Sequence, residues 1–166
     1  RTVTGVQTCA LPISTENILY DSARGINKYL YTQSGAAQTT SSAGYGITSF
    51  DSNGFTLGLT DNTNTSSTTY ASWTFRKAAK FFDVVTFTAD GNTYPTPVRV
   101  THNLNSVPGC IIIKVLTTPD NWFVYHKSLG RSSYIRLNNT GAFISQTDVW
   151  GTSDPTSTYF DIDWYI

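Results

Sequence analysis

Thr158-Tyr159-Phe160-Asp161-Ile162-Asp163-Trp164 reads as a β-strand: Phe160, Ile162 and Trp164 fall on one face and Tyr159, Asp161 and Asp163 on the other, the two-residue period of an extended chain. Residues 70–77 alternate in the same way and bring Ala71, Trp73 and Phe75 together. Residues 84–88, 110–116 and 122–126 extend the pattern, with turn signals at Asp90-Gly91-Asn92, Pro108-Gly109 and Pro119-Asp120-Asn121. Asp51-Ser52-Asn53-Gly54-Phe55 predicts a hairpin, in which Asn-Gly would supply the positive φ of a type I′ turn. Only residues 75–82 look helical; they are short and uncapped, and read as a linker. These features predict an all-β protein of antiparallel strands, packed as sandwich or jelly-roll-like modules.

Composition agrees and narrows the function. The 166 residues carry 11 basic and 11 acidic side chains, 13% are charged and 14% aromatic, a strand-favouring balance with no net charge. Without Lys/Arg clusters nothing is built to grip a phosphate backbone, so nucleic acid is not an expected ligand. No apolar run approaches the roughly 18 residues of a membrane-spanning helix, so membrane insertion is not expected either.

The segment from Val3 to Ile13 lacks the apolar core of a signal peptide and matches, without a gap, the translation of a constant sequencing adapter. Residues 1–14 are therefore expected to be adapter-derived and non-structural, with the natural sequence beginning near Thr15. Excluding them removes Cys9 and leaves Cys110 alone, in an apolar strand where a buried small hydrophobe is expected rather than a nucleophile.

Sliding the chain by about 105 positions aligns Tyr20 with Tyr125, Gly25 with Gly130, Tyr29 with Tyr134 and Phe55 with Phe160. Two partial copies of one repeat are expected: residues 15–79 as the C-terminal part of a first β module, and 80–166 as a second module lacking its last strand. The strand at residues 70–75 is expected to fill part of the gap in the second.

Phe81-Phe82-Asp83-Val84, Thr101-His102-Asn103-Leu104, Pro108-Gly109-Cys110-Ile111-Ile112-Ile113-Lys114 and Asn121-Trp122-Phe123-Val124-Tyr125-His126 form a series that resembles the repeated β modules of tailed-bacteriophage virion proteins of tail-fibre-like type. Tyr20-Asp21-Ser22-Ala23-Arg24-Gly25, Ser52-Asn53-Gly54-Phe55 and Thr69-Tyr70-Ala71-Ser72-Trp73 resemble the end of a preceding module. The resemblance implies β-sandwich modules on the particle exterior, extracellular, homo-oligomeric, contacting neighbouring virion subunits and host-surface glycan, with no established catalysis.

The residues offer little chemistry beside it. His102, in its turn, is expected to bond backbone and steady the Asn103 loop; His126 ends a strand facing solvent or a groove. Asp148, Asp154, Asp161 and Asp163 raise a glycosidase fragment as a third reading, but Asp161 and Asp163 read more simply as exposed, solubilising edge charges. Asp61-Asn62-Thr63-Asn64-Thr65 reads as a polar turn, and neither metal nor cofactor is expected. Aromatics carry the better hint: Trp122, Tyr125, Tyr134 and Trp150, with His126, are the candidate ligand-binding residues, since exposed aromatic faces stack on sugars or pack on subunits. The expected function is a non-enzymatic virion module; the runner-up is a carbohydrate-binding module of a secreted bacterial protein.

Overall fold

The computed structural model describes residues 7–11, 17–59, 63–89, 96–147 and 149–163. All regular structure among them is β, with no helix. In chain order the strands are β1 Gln7–Leu11, β2 Ile18–Asp21, β3 Lys28–Tyr31, β4 Thr39–Thr40, β5 Ile47–Asp51, β6 Gly54–Leu57, β7 Ala71–Phe75, β8 Val98–Thr101, β9 Cys110–Lys114, β10 Trp122–His126, β11 Ser133–Arg136, β12 Ile144–Ser145 and β13 Tyr159–Ile162. All strand pairings are antiparallel.

The chain divides into two compact units, residues 1–77 with 116–119, and residues 78–115 with 120–166. In the first, one sheet runs β4-β3-β2-β1-β7 and β5 pairs with β6. Ile18, Tyr20 and Ile47 are its buried centre, flanked by Tyr29, Tyr31, Phe50, Phe55 and Leu57. In the second, one sheet runs β12-β11-β10-β9 and β13 pairs with β8. Both sheets feed one core: Ile111 and Ile113 from β9, Phe123 and Tyr125 from β10, Tyr134 from β11, Val100 from β8, Phe160 and Ile162 from β13, closed by Val149 and Trp150. On β9 the alternation is plain, Ile111 and Ile113 inward and Cys110 and Ile112 outward.

Several features of the two units stand 105 positions apart. β3 and β11, β4 and β12, and β6 and β13 correspond residue for residue. The β2–β3 register, Ile18 opposite Tyr31, returns as Phe123 opposite Arg136; the β3–β4 register, Lys28 opposite Thr40, returns as Ser133 opposite Ser145. Thr32 donates its backbone N–H to the Asn17 carbonyl and Leu137 to that of Trp122, both at 3.1 Å. Ser41 donates to Asn27 and Gln146 to Ser132. The Gln33 side-chain carbonyl accepts the Asn17 N–H at 3.0 Å, as the Asn138 side chain accepts that of Trp122. Gly46 and Gly151 both adopt a positive φ, 67° and 65°, where a side chain is strained.

Several expectations are corrected. Gln7–Leu11 is not idle: β1 is a central strand, paired with β2 on one side and β7 on the other. Main-chain pairing asks only for an extended segment with free N–H and C=O groups, so the origin of the segment does not bar it from the slot. Residues 70–75 do form a strand, but β7 pairs with β1 inside the first unit, Trp73 opposite Cys9, and all five of its residues are exposed. Residues 84–88 form no strand; Val85 packs on the core while Thr86, Phe87 and Thr88 are exposed. The hairpin at residues 51–54 exists, with Asp51 opposite Gly54, but none of Ser52, Asn53 or Gly54 has a positive φ. Asp at the first and Gly at the fourth position is the pattern of a type I turn, so Asn-Gly sits one place too late for type I′. Residues 78–82 make a turn at a positive-φ Lys80 rather than a helix. The predicted turn at residues 90–92, Asp61, Asn62, Asp148 and Trp164 lie outside the described residues.

Candidate functional site

Four of the five expected ligand contacts are buried, and three of them, Tyr125, Tyr134 and Trp150, belong to the core of the second unit. Trp150, 1% exposed, donates its indole N–H to the Ser133 carbonyl at 3.0 Å and meets Tyr125 edge-on, centroids 5.5 Å apart. Tyr134 packs on Phe123 at 5.3 Å; Trp122 is buried too, but along β10 it alternates with Phe123 and Tyr125 and stands outside their cluster. Burial, and second the charge of Asp154, pushes the Tyr125 phenol up. Rings so buried offer no face to a sugar, which corrects the reading of Trp122, Tyr125, Tyr134 and Trp150 as a stacking surface.

His126 is exposed, and its neighbours explain it. Its Nδ1 accepts the Ser128 backbone N–H at 3.3 Å and lies 2.6 Å from Ser128 Oγ. At the corresponding turn of the first unit, Asp21 Oδ1 accepts the Ala23 N–H at 3.0 Å and the Arg24 N–H at 2.9 Å. His126 thus does for one turn what Asp21 does for the other, holding backbone donors that would lack partners. Asp21 goes further: its other oxygen pairs with Arg24 Nε, both side chains only 4% exposed, while Arg24 also reaches the Leu19 carbonyl.

His102 plays the turn role expected of it. Its Nδ1 accepts the Leu104 N–H at 3.3 Å, and the ring stacks on Phe160. An accepting Nδ1 in a neutral imidazole puts the proton on Nε2. Asp83 accepts the Asn103 N–H at 2.7 Å, so the Phe-Phe-Asp and His-Asn-Leu stretches are physically tied across 20 residues.

The carboxylates are not edge charges. Asp161, 3% exposed, and Asp163 are buried; sequence periodicity cannot show that both faces of β13 are covered. Asp161 takes a two-point grip from Arg99 directly across the strand pair, Nε at 2.9 Å and Nη2 at 3.1 Å. The Arg99 guanidinium lies 3.8 Å over the Tyr159 ring, and its bond to Asp161 pushes its pKa further up. Nothing in the spacing of the sequence signals this clamp, since Arg99 and Asp161 are 62 residues apart. Asp154 is well exposed, 4.0 Å from Arg131. Among the described residues no three of His, Cys, Asp and Glu gather where a metal could be held. Cys110 is exposed, not buried, because it falls on the outward side of β9, although partial burial still pushes its thiol up.

In the first unit an apolar recess of about 110 Å³ opens between Tyr20, Ile47, Phe55, Leu57 and Tyr70. Ligand pockets run to about 300–1,000 Å³, so this one holds at most a few atoms.

Fold and side chains together define an all-β protein of two units whose described polar groups are largely engaged in holding turns and strand pairs. The chain belongs to the family described as Domain of unknown function (DUF7483), whose profile matches residues 11–164. The match therefore starts at the last residue of β1. Comparison with curated proteins and with solved structures finds no match.

Proposed function

We propose that the chain is a non-enzymatic structural module made of two partial copies of one sandwich-like β repeat, serving on the exterior of a tailed-bacteriophage particle in contact with neighbouring subunits or the host surface. The recurrence at 105 positions carries the repeat reading: registers, three hydrogen bonds and a positive-φ glycine all return at one spacing. Tandem units that bury their own aromatics and spend their polar groups on turns suit a protein whose work is shape and assembly. The virion assignment is supported by the motif series that runs from Phe81 to Gly130 and resembles tail-fibre-like modules. Sequencing outward from the gene tests it. Flanking terminase, portal or tail genes, with peptides of this chain in gradient-purified particles, are expected. A secretion signal on the full gene, beside polysaccharide-degrading enzymes, would overturn the virion reading in favour of a secreted carbohydrate-binding protein.

A further inference from the structure

The two units differ at one sheet edge. In the first, the strand beside β2 is β1, and its far edge is covered by β7. In the second, the strand beside β10 is β9, and among the described residues no strand covers its far edge. β1 and β9 fill the same slot, five residues each, in the same register: Gln7 lies opposite Asp21 and Cys110 opposite His126, which stands 105 positions after Asp21, so every side chain keeps its own face. We propose that the open edge of β9 is a strand-acceptor site, and that its occupant is β7 of a second copy of this chain, exchanged from its place beside β1. The proposal rests on the repeat reading above.

The strands themselves favour the exchange. Transferring the β1–β7 register onto β9 sets Phe75 opposite Cys110, Trp73 opposite Ile112 and Ala71 opposite Lys114. In its own chain Trp73 stands opposite Cys9 and Phe75 opposite Gln7. An aromatic beside a β-branched residue is the stronger cross-strand pair, so β9 is the better partner. Both sides also need cover: Ile112 and Trp73 are each 52% exposed and would be neighbours on the outward face. β7 can leave at small cost, since all five of its residues are exposed and β1 is its only strand partner among the described residues. Residues 7–10, which make up nearly all of that partner, lie outside the family match, whereas β9 lies within it. Repeated exchange joins unit one of each copy to unit two of the next, a head-to-tail contact that builds rings or rows.

Phe75→Cys tests this in a Cys9→Ser chain. Opposed residues in an antiparallel pair are close enough for a disulfide. Mild oxidation is expected to link the introduced thiol of one copy to Cys110 of another and give a ladder of dimers and larger species on a non-reducing gel. Thr74→Cys, which would stand opposite the inward Ile111, and the Phe75→Cys, Cys110→Ser double variant should give none. In the unlinked chain, sedimentation should show concentration-dependent association, lost in Ile112→Arg, an exposed position where the charge leaves folding intact. A disulfide closed within one chain, equal ladders from Thr74→Cys, or a monomer at all concentrations would overturn the proposal. Those outcomes leave the gene neighbourhood and particle peptides untouched, so failure of the exchange and failure of the virion reading are told apart.

Discussion

Gly151 and Gly130 allow backbone strain and steric crowding to be separated within one unit. Both adopt a positive φ, 65° and 71°, but they differ in what a side chain would meet. A Cβ on Gly130 has nothing within 4 Å, whereas one on Gly151 would stand 2.7 Å from the Cβ of Asp161. That atom is fixed to β13, which is paired with β8 and anchored by Arg99, so it has little room to retreat. The left-handed conformation costs an alanine about 1–2 kcal/mol. A stiffer unfolded chain offsets about 0.4–1 kcal/mol of it, so Gly130→Ala should lose about 1 kcal/mol. Gly151→Ala bears the same strain plus about 1–3 kcal/mol of overpacking, for a total of about 2–4 kcal/mol. With a urea m-value of about 1.5 kcal/mol/M, the midpoints fall by about 0.7 M and about 2 M. Tryptophan fluorescence reads the transition, since Trp122 and Trp150 are buried in this unit. Equal losses at the two glycines would refute the crowding at Asp161 and with it the close seating of the Trp150-Gly151 corner on β13.

Asp21→Ala should cost about 3–5 kcal/mol, because it strands the buried Arg24, while His126→Ala at the matching turn should cost only about 0.5–1.5 kcal/mol; calorimetry of the two variants checks the contrast, and equal losses would count against it. In a Cys9→Ser chain, the raised thiol pKa means less thiolate at any given pH, so iodoacetamide should alkylate Cys110 more slowly near pH 8 than it does a free cysteine peptide, with the rate profile displaced to higher pH. The linked stability is present below the thiol's unfolded pKa and falls as pH rises through the folded one; a peptide-like alkylation profile would contradict this. Ala10→Pro removes a donor from a central strand and leaves its ladder partner unpaired, at about 1–3 kcal/mol. Hydrogen exchange should then show protection lost across β7, which depends on β1, and retained between β2 and β3, which pair with each other; a still-protected β7 would contradict it.

Much of the β character was open to reading in the sequence because half-buried strands write their period directly. β9 and β10 lie where alternation and turn residues placed them, and the 105-residue offset already joined Tyr20 to Tyr125 and Gly25 to Gly130. The same signal failed at residues 84–88, and at 71–75 it found the strand but not its exposure, for one reason: alternation says which side chains share a face, and whether that face is covered depends on elements elsewhere in the chain. Val85 found a core and Phe87 did not; Ala71, Trp73 and Phe75 share a face that lies open. The aromatic candidates failed for the converse reason. Tyr125, Tyr134 and Trp150 converge, as the sequence suggested, but they converge inward, Trp122 is buried apart from them, and a ring that donates to a carbonyl from the interior has the same letter as one that stacks on a sugar.

Asp161 and β1 mark the two limits of such reading. A buried carboxylate is tolerable only with a partner, and the partner here sits 62 residues away on the neighbouring strand, a pairing set by the β8–β13 register and invisible to any local pattern. β1 is the opposite case, in which pairing owes little to side-chain pattern. The ladder joins N–H to C=O, and Gln7–Leu11 satisfies β2 and β7 whatever its residues were selected for. Its register on β2 is that of β9 on β10, Gln7 opposite Asp21 and Cys110 opposite His126, although the two strands share no sequence pattern and stand 103 rather than 105 positions apart. A slot filled in one register by two strands of unlike sequence is specified by the edges beside it more than by the strand that fills it. That is the property an edge needs if strands are to be exchanged between copies, and it is why the edge of β9, which no strand covers among the described residues and where Ile112 turns outward, is the place proposed for a partner.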